Sequence, residues 1–290
     1  MSMRECMGDS FNRHFLPAME YVTERRKSVK QPENIWEIIH RGGYPELQDK
    51  EKEWGAFYAD YVKTYMERDV RELAAVQDLN AFRQFMIAAA ARCGEILNYS
   101  SIASEIGKDV GTVKNWMSIL EASGIIYLLE PYTSGILKRV VKSPKLYFRD
   151  TGLACYLTRW LSAESLAYGA MSGPLFETFV VSEILKSFSN EGMDYRHFVS
   201  YYRGRDKKKV KENGETLEAE AEIDLIIEEN GILYPIEIKK NTQAKAIMTS
   251  AFSVLDQIPG KKRGTGAVIC NCPDVGALRE NVLQVPVWYI

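Results

Sequence analysis

Two short segments near the C-terminus combine β-branched residues with charges at a spacing of two. Residues 222–227 read EIDLII and residues 234–239 read YPIEIK. β-branched residues favour strands, and successive side chains of a strand point to opposite faces of the sheet. Glu237 and Lys239 therefore share one face, and Asp224 lies on the face opposite to its apolar neighbours. Two adjacent strands of this kind would bring two carboxylates and one ammonium group together at one edge of a sheet.

Such a group of charges is suited to a divalent metal ion. Magnesium prefers hard oxygen ligands, commonly one or two carboxylates plus water and phosphate oxygens. We expect Asp224, Glu237 and the backbone carbonyl of Ile238 to bind Mg²⁺ or Mn²⁺. Lys239 would orient or deprotonate an attacking water, or stabilise the charge that develops on a phosphate. The alternative is that these charges only cover a solvated face of the sheet.

Glu177 gives a separate indication of a site. In a helix predicted at residues 174–188, it shares a stripe with three apolar residues at helical spacing. A carboxylate on an apolar stripe is costly unless it finds a partner, and the metal or Lys239 would be such a partner. We therefore include Glu177 among the catalytic residues, with Glu183 as the competing choice on the same helix.

Charge and cysteine usage limit the class of protein. The 290 residues carry a formal net charge of -2, so any contact with nucleic acid would depend on local basic patches. The five cysteines form no CxxC pair and only three histidines exist, which predicts reduced thiols and no structural zinc site. No segment reaches the roughly 20 apolar residues of a membrane span. These features predict a cytoplasmic protein without a membrane partner.

A different pattern occupies residues 76–160. Three helical segments come first, the second and third followed by Gly107 and Gly124, and two strand-like segments follow. The segments are residues 82–93, 101–106 and 109–123 for the helices, and 125–129 and 145–148 for the strands. This order is typical of a winged helix-turn-helix.

Polar residues of this region are candidate contacts to DNA. They lie at the start of the third helix and in the segment between the two strands, where they could reach base edges or phosphates. The candidates are Thr112, Lys114, Asn115, Lys138, Arg139 and Lys142, and the basic segment also includes Lys145. The alternative is a winged helix that serves protein contacts.

The remaining parts complete an α+β fold class. Residues 1–75 are expected to form a helical N-terminal extension, in which Trp54, Tyr58, Tyr61 and Tyr65 make an aromatic stripe that packs internally. Residues 161–290 alternate helices and strands, with a further helix predicted at 245–255 and a last short strand at 285–289, and are expected to form the domain with the acidic cluster. Within it, residues 203–220 are rich in charge and predict a hairpin extension or a mobile loop.

The acidic cluster resembles the PD-(D/E)xK superfamily of restriction-endonuclease-like folds. Asp224 matches its acidic residue, residues 237–239 match its ExK, and Glu177 matches the glutamate that many members carry on the first helix. The resemblance implies a nuclease fold over residues 161–290.

The whole chain is also similar to the C-terminal region, DUF4143, of a prokaryotic AAA-type ATPase family. The matching segments are residues 41–46 (RGGYPE), 65–69 (YMERD), 147–152 (YFRDTG), 176–177 (FE) and 222–224 with the ExK. This resemblance implies an ATPase domain as partner, in the same chain or in another one. The sequence has no GxxxxGK[ST] phosphate loop, so no ATP site is expected here.

Two functions follow from these patterns. The first is a DNA-associated protein with metal-dependent phosphodiester hydrolysis at Asp224, Glu237, Lys239 and Glu177. The second is a non-catalytic DNA- or protein-binding module attached to the ATPase. Both hypotheses leave open a homo-oligomer.

Overall fold

The computed structural model describes the backbone at residues 1–73, 76–133, 143–210 and 216–290, and the side chains of these residues apart from 72–73, 205–210 and 216–219. The contacts of the backbone divide the chain into two units. The first unit combines residues 1–8, 32–128 and 145–182, and the second combines residues 9–31, 129–144 and 183–290. The predicted three-part division follows the order of the chain, whereas each unit is built from three separate stretches.

The helices and strands together define an α+β protein with a mixed sheet. The α-helices are α1 (Met3–Cys6), α2 (Met19–Arg25), α3 (Ile35–Arg41), α4 (Trp54–Tyr65), α5 (Leu79–Ala90), α6 (Tyr99–Ile106), α7 (Val110–Ala122), α8 (Thr151–Leu157), α9 (Ala163–Tyr168) and α10 (Ser172–Asn190). The strands are β1 (Ile126–Leu129), β2 (Lys145–Phe148), β3 (Val199–Val210), β4 (Thr216–Glu229), β5 (Ile232–Lys239), β6 (Lys262–Arg263), β7 (Gly266–Cys270), β8 (Gly276–Arg279) and β9 (Val282–Pro286). A π-helix continues α4 at Met66–Leu73, and short 3₁₀ helices occupy Pro45–Gln48, Tyr195–His197, Ala246–Gln257 and Val287–Tyr289.

In the first unit, the predicted helices α5, α6 and α7 are present and the strands β1 and β2 pair with each other. Asn98 and Asp109 accept backbone N–H groups at the starts of α6 and α7, which satisfies donors that a helix leaves unpaired. Gly107 ends α6 in the left-handed region at φ 65°, as its position in the sequence predicted. Local capping chemistry therefore sets these boundaries.

The core of these helices is aromatic. The Phe82 and Phe85 rings of α5 contact the Trp116 ring of α7 at centroid distances of 5.2 and 5.6 Å. Along α4, Tyr58 and Tyr65 are buried, as expected for a packed aromatic stripe. These rings supply much of the apolar area that the first unit buries.

Asp150 connects two glycine-containing segments of the first unit. Its carboxylate accepts hydrogen bonds from the Tyr58 hydroxyl at 2.6 Å and from the backbone N–H of Gly43 at 2.7 Å. A Cβ atom at Gly42 or Gly152 would collide with the Tyr58 hydroxyl. The RGGYP and RDTG segments of the sequence are therefore explained by close packing around one half-buried carboxylate.

The sheet of the second unit has the strand order β3-β4-β5-β7-β9-β8, with β6 paired to β5. The pairs β3–β4, β4–β5 and β8–β9 are antiparallel, while β5–β6, β5–β7 and β7–β9 are parallel. The long β3 and β4 form the predicted hairpin extension. One buried cluster includes Ile223, Ile226, Phe252, Leu255 and Val282, so apolar residues of the sheet pack against the 3₁₀ segment.

Several elements of the second unit differ from prediction. No strand was predicted at residues 276–279, where β8 forms, and residues 287–289, predicted as part of a last strand at 285–289, form a 3₁₀ turn after β9. The helix predicted at residues 245–255 is 3₁₀ and is interrupted at Thr249, whose φ and ψ of -105° and 17° are not helical. Short apolar runs carry little information that separates these conformations.

The stretch of residues 9–31 is fixed to the C-terminal end of the chain within the second unit. Arg25 forms a buried ion pair with Asp9 at 2.5 Å and donates to the backbone carbonyls of Trp288 and Tyr289. The Tyr21 hydroxyl also donates to the Tyr289 carbonyl, at 2.8 Å. These bonds satisfy carbonyl groups at a buried chain end, where an unpaired group would be costly.

Cys270 and Cys272 form a disulfide at the end of β7, so the expectation of reduced thiols is wrong for this pair. Cys6, Cys93 and Cys155 are free thiols. Across the described ranges, every helix falls short of the length and apolar character that a membrane crossing requires.

Candidate functional site

Asp224 lies where the pairing of β3 and β4 changes register. Ser200 pairs with Ile226, and the next pair in the ladder joins Tyr202 to Ile223. The single residue Tyr201 therefore faces both Asp224 and Leu225, which is a β-bulge. Bulges bend a strand and redirect a side chain, and they are common beside active sites. Asp224 therefore lies at a break in the β3–β4 ladder.

Glu237 and Lys239 are on the neighbouring strand β5. Leu225 pairs with Ile236 in the antiparallel β4–β5 ladder, and the same register continued by one residue places Asp224 opposite Glu237. Opposite residues of an antiparallel pair point to the same face. The alternation of β5 brings Lys239 to that face as well.

These three side chains contact one another. The Lys239 ammonium lies 3.2 Å from Asp224 Oδ2 and 2.6 Å from Glu237 Oε1. The same Asp224 oxygen accepts the backbone N–H of Ile238 at 2.8 Å. The convergence that was predicted for Asp224, Glu237 and Lys239 is present in the second unit.

Two carboxylates therefore share one ammonium group. The side chains of Asp224 and Glu237 are 9% and 12% exposed, and that of Lys239 is 36% exposed. Burial disfavours the charged form of Lys239, but the two carboxylates outweigh burial and raise the pKa of Lys239 above its usual value. Contact with both carboxylates therefore favours the protonated form of Lys239.

The chemistry of this donor set fits a hard divalent cation. Mg²⁺ requires only one or two carboxylates when water and substrate phosphate complete its shell, and Asp224 and Glu237 supply two. Within the described ranges, no group of three His, Cys, Asp or Glu side chains is arranged to hold a metal. Asp224 and Glu237 are thus two candidate ligands for such an ion.

Glu177 belongs to the first unit and has partners there. Its carboxylate accepts a hydrogen bond from the Tyr147 hydroxyl at 2.7 Å and lies 3.3 Å from the ammonium of Lys145. Both partners are on strand β2, two residues apart. Glu177 was selected because a carboxylate on an apolar stripe needs a partner, and Tyr147 and Lys145 are such partners. Lys145, which the sequence grouped with phosphate contacts, is buried beside Glu177.

Glu183, the competing choice on α10, belongs to the second unit. It is buried, and its carboxylate pairs with the Lys186 ammonium at 2.8 Å on the same helix. On a helix, a carboxylate can form an ion pair with a lysine three residues later, because the two side chains lie on neighbouring turns of the same face. Glu183 therefore also has a local partner.

The predicted DNA contacts of the first unit lie near the start of α7. Lys114 and Asn115 are exposed, and the Lys114 ammonium lies 5.6 Å from the centre of the Tyr99 ring. The Thr112 hydroxyl donates to Asp109 at 2.6 Å, so it is engaged in capping the helix. Lys138, Arg139 and Lys142 lie outside the described residues.

Sequence reasoning missed the features that arrange these residues. Nothing in residues 222–227 indicates a bulge, because the register depends on the partner strand. The partner of Glu177 was also missed, although Lys145 and Tyr147 alternate on a predicted strand and share a face. That alternation is the one signal that could have identified the pair.

Comparison with known proteins gives a limited classification. Residues 32–164 match the model of a domain of unknown function, DUF8612. The chain is also 26% identical over 236 residues to the uncharacterized proteins Rv2008c of Mycobacterium tuberculosis and Mb2031c of Mycobacterium bovis. The alignment covers 81% of this chain and 48% of each relative, so the chain spans about half the length of these curated relatives. No solved structure matches significantly.

These findings correct the family prediction. The domain that matches is DUF8612 and not DUF4143, so the predicted membership of the AAA-type ATPase family is wrong. The RGGYP and RDTG segments that suggested it meet around Asp150 within the matched residues. Such segments describe how a helical unit packs, and similar packing can be shared by domains with different activities.

Proposed function

We propose that this chain is a DNA-associated protein in which Asp224, Glu237 and Lys239 form a metal-dependent phosphodiester-hydrolysis site. The observation that carries the proposal is the convergence of two carboxylates on one ammonium group beside a β-bulge. The arrangement of acidic residue and ExK on adjacent strands supports a PD-(D/E)xK fold for the second unit. The helices α5–α7 followed by β1 and β2 support a winged helix for part of the first.

Each residue has a separate role in this proposal. Asp224 and Glu237 would hold Mg²⁺ or Mn²⁺, with the Ile238 carbonyl as a further ligand. The metal, when bound, polarises the phosphate and lowers the pKa of water. The Lys239 ammonium lies beside both carboxylates and is placed to stabilise negative charge on a phosphate oxygen. Lys239 could also orient or deprotonate the attacking water.

DNA contact is proposed for α7 and for the basic segment between β1 and β2. Lys114 and Asn115 support it because they are exposed on adjacent positions of α7. Residues 134–142 add Lys138, Arg139 and Lys142 without an acidic residue. A segment of this composition attracts a phosphate backbone, even in a protein with a net charge of -2.

The test is cleavage of plasmid and single-stranded DNA with Mg²⁺ or Mn²⁺. We expect Asp224→Asn and Lys239→Ala each to reduce cleavage by roughly 100-fold, since each removes a group that acts on the reacting phosphate. Lys261→Ala is the matched control, because Lys261 pairs with Glu228 at the surface of the same unit. Cleavage that persists in both site variants would reject the proposed chemistry.

The second candidate function is a non-catalytic binding module. It is favoured by the Lys239 ammonium, which already compensates part of the carboxylate charge without any bound ion. Calorimetry with Mn²⁺ separates the two functions. The binding module predicts no heat at millimolar ion, whereas the hydrolase predicts a saturable signal that Asp224→Asn abolishes.

A further inference from the structure

Tyr201 occupies a special position in the sheet of the second unit. It is the single residue of β3 that faces the two residues Asp224 and Leu225 of β4. In a bulge, the extra residue breaks the regular ladder of hydrogen bonds. The orientation of Asp224 therefore depends on the bonds that hold Tyr201, the residue opposite to it.

The hydrogen bonds of Tyr201 go to the segment that follows β1. Its backbone N–H donates to the carbonyl of Glu130 at 3.1 Å, and its backbone carbonyl accepts the N–H of Tyr132 at 2.6 Å. A bridge also pairs Tyr201 with Pro131. Alternate residues of a strand direct their backbone groups to alternate sides, so the backbone groups of Ser200 and Tyr202 point toward β4, while those of Tyr201 point away from it.

The side chain of Tyr201 adds a third attachment. Its hydroxyl donates to the backbone carbonyl of Ser143, and the whole residue is buried. Tyr201 thus forms hydrogen bonds to Glu130, Tyr132 and Ser143. These residues lie at the two ends of the segment between β1 and β2. These bonds hold β3 on the side that faces away from β4, at the same residue that lies opposite the bulge.

We propose that Tyr201 is a positioning residue for Asp224. Its three outward hydrogen bonds prevent β3 from shifting along or away from β4, and so keep the bulge and the Asp224 carboxylate aligned with Glu237 and Lys239. Tyr201 acts through Asp224 and does not contact a substrate. This inference rests on the proposed function, because it assigns a role within the same site.

The experiment compares two buried tyrosines of the second unit. Tyr201→Phe removes the hydroxyl that donates to Ser143, and Tyr21→Phe removes an equivalent bond from a buried hydroxyl to the Tyr289 carbonyl. Both variants lose one buried hydrogen bond to the backbone, and only Tyr201 faces Asp224. By calorimetry, we expect Mn²⁺ to bind Tyr201→Phe about 10-fold more weakly than wild type, and Tyr21→Phe with unchanged affinity. Equal affinities of Tyr201→Phe and wild type would overturn the inference.

A second measurement separates this inference from the proposed function. If wild type gives no heat with Mn²⁺, the metal site fails, and the positioning role is judged by thermal unfolding of double variants. Positioning predicts that the effects of Tyr201→Phe and Asp224→Asn on Tm are not additive, because the two residues are coupled. The effects of Tyr21→Phe and Asp224→Asn should add. Additive effects in both pairs would refute the positioning role.

Discussion

The two units each contain a carboxylate–lysine cluster, and the clusters differ in how their lysines are surrounded. In the first unit, Glu177 lies beside Lys145 and accepts the Tyr147 hydroxyl. In the second unit, the Lys239 ammonium contacts both Asp224 and Glu237. Lys145 is 3% exposed, whereas Lys239 is 36% exposed. By the exposure of its lysine, we call the first the closed cluster, and the second, in which two carboxylates contact one lysine, the open cluster.

This difference separates a packing device from a candidate site. A buried pair that satisfies itself does not require a further ion, and removing one partner leaves the other uncompensated. Under the proposed function, two carboxylates beside one ammonium group would attract a cation, and the partial exposure of Lys239 would give that cation access. The number of carboxylates around a lysine and the exposure of that lysine thus indicate a candidate site better than an acidic residue on an apolar stripe does.

The largest effect is expected from removing the shared ammonium group of the open cluster. Lys239→Met leaves Asp224 and Glu237 facing each other, so we expect the free energy of unfolding to fall by roughly 3 kcal/mol without divalent ions. Millimolar Mn²⁺ should restore much of this loss, since an ion that binds only the folded state stabilises it. Urea unfolding with and without Mn²⁺ measures both effects. A loss that Mn²⁺ leaves unchanged would contradict the idea of a cation-attracting cluster.

A smaller effect is expected at the closed cluster. Glu177→Leu removes the carboxylate that contacts Lys145 and Tyr147, and we expect a loss of about 2 kcal/mol because charged hydrogen bonds are broken. Mn²⁺ should not restore it, in contrast to Lys239→Met. Glu177→Gln serves as the control, because an amide can still accept the Tyr147 hydroxyl and should lose less. If Glu177→Leu were more stable than wild type, the closed cluster would not be a stabilising device.

The sequence alone was enough to predict the part of the site that depends on the alternation of side chains along a strand. The alternation of residues in β5 places Glu237 and Lys239 on one face, and one antiparallel neighbour brings Asp224 to them. The caps of α6 and α7 were predictable for the same reason, because Gly107 and Asp109 act on their own helix termini.

Features that depend on distant partners were not predictable in the same way. The bulge at Asp224 exists only in the pairing with β3, and the Tyr201 bonds reach back to residues 130–143. Lys145 is 32 residues before Glu177, so no periodicity within a helix could connect them. The glycine segments around Asp150 were noticed as motifs, but their packing role does not identify a family.

A third carboxylate cluster gives the smallest predicted effect and extends the comparison to a histidine. Glu191 accepts the backbone N–H of His14 at 2.6 Å and also contacts the His14 ring, while the other ring nitrogen lies 3.2 Å from Glu229. Burial raises the pKa of Glu191, but the hydrogen bonds from His14 outweigh it and the net pKa is lowered. A carboxylate with a lowered pKa stabilises the folded state above its unfolded pKa, and this stability is lost as the pH falls through the folded pKa.

Glu191→Gln should therefore lower the free energy of unfolding by about 0.5 kcal/mol at pH 6, because Glu191 is one-third exposed and water screens its interactions. The difference from wild type should shrink as the pH falls below the pKa of an unfolded glutamate, about 4.3, and through the lower pKa of folded Glu191. Unfolding by urea at several pH values measures this difference, and subtracting the two proteins removes the contribution of other carboxylates. A difference that stays constant with pH would mean that Glu191 acts through packing, like the closed cluster, and not through its charge. A difference that changes with pH as predicted would show that the charge of Glu191 contributes to stability and that water weakens this contribution.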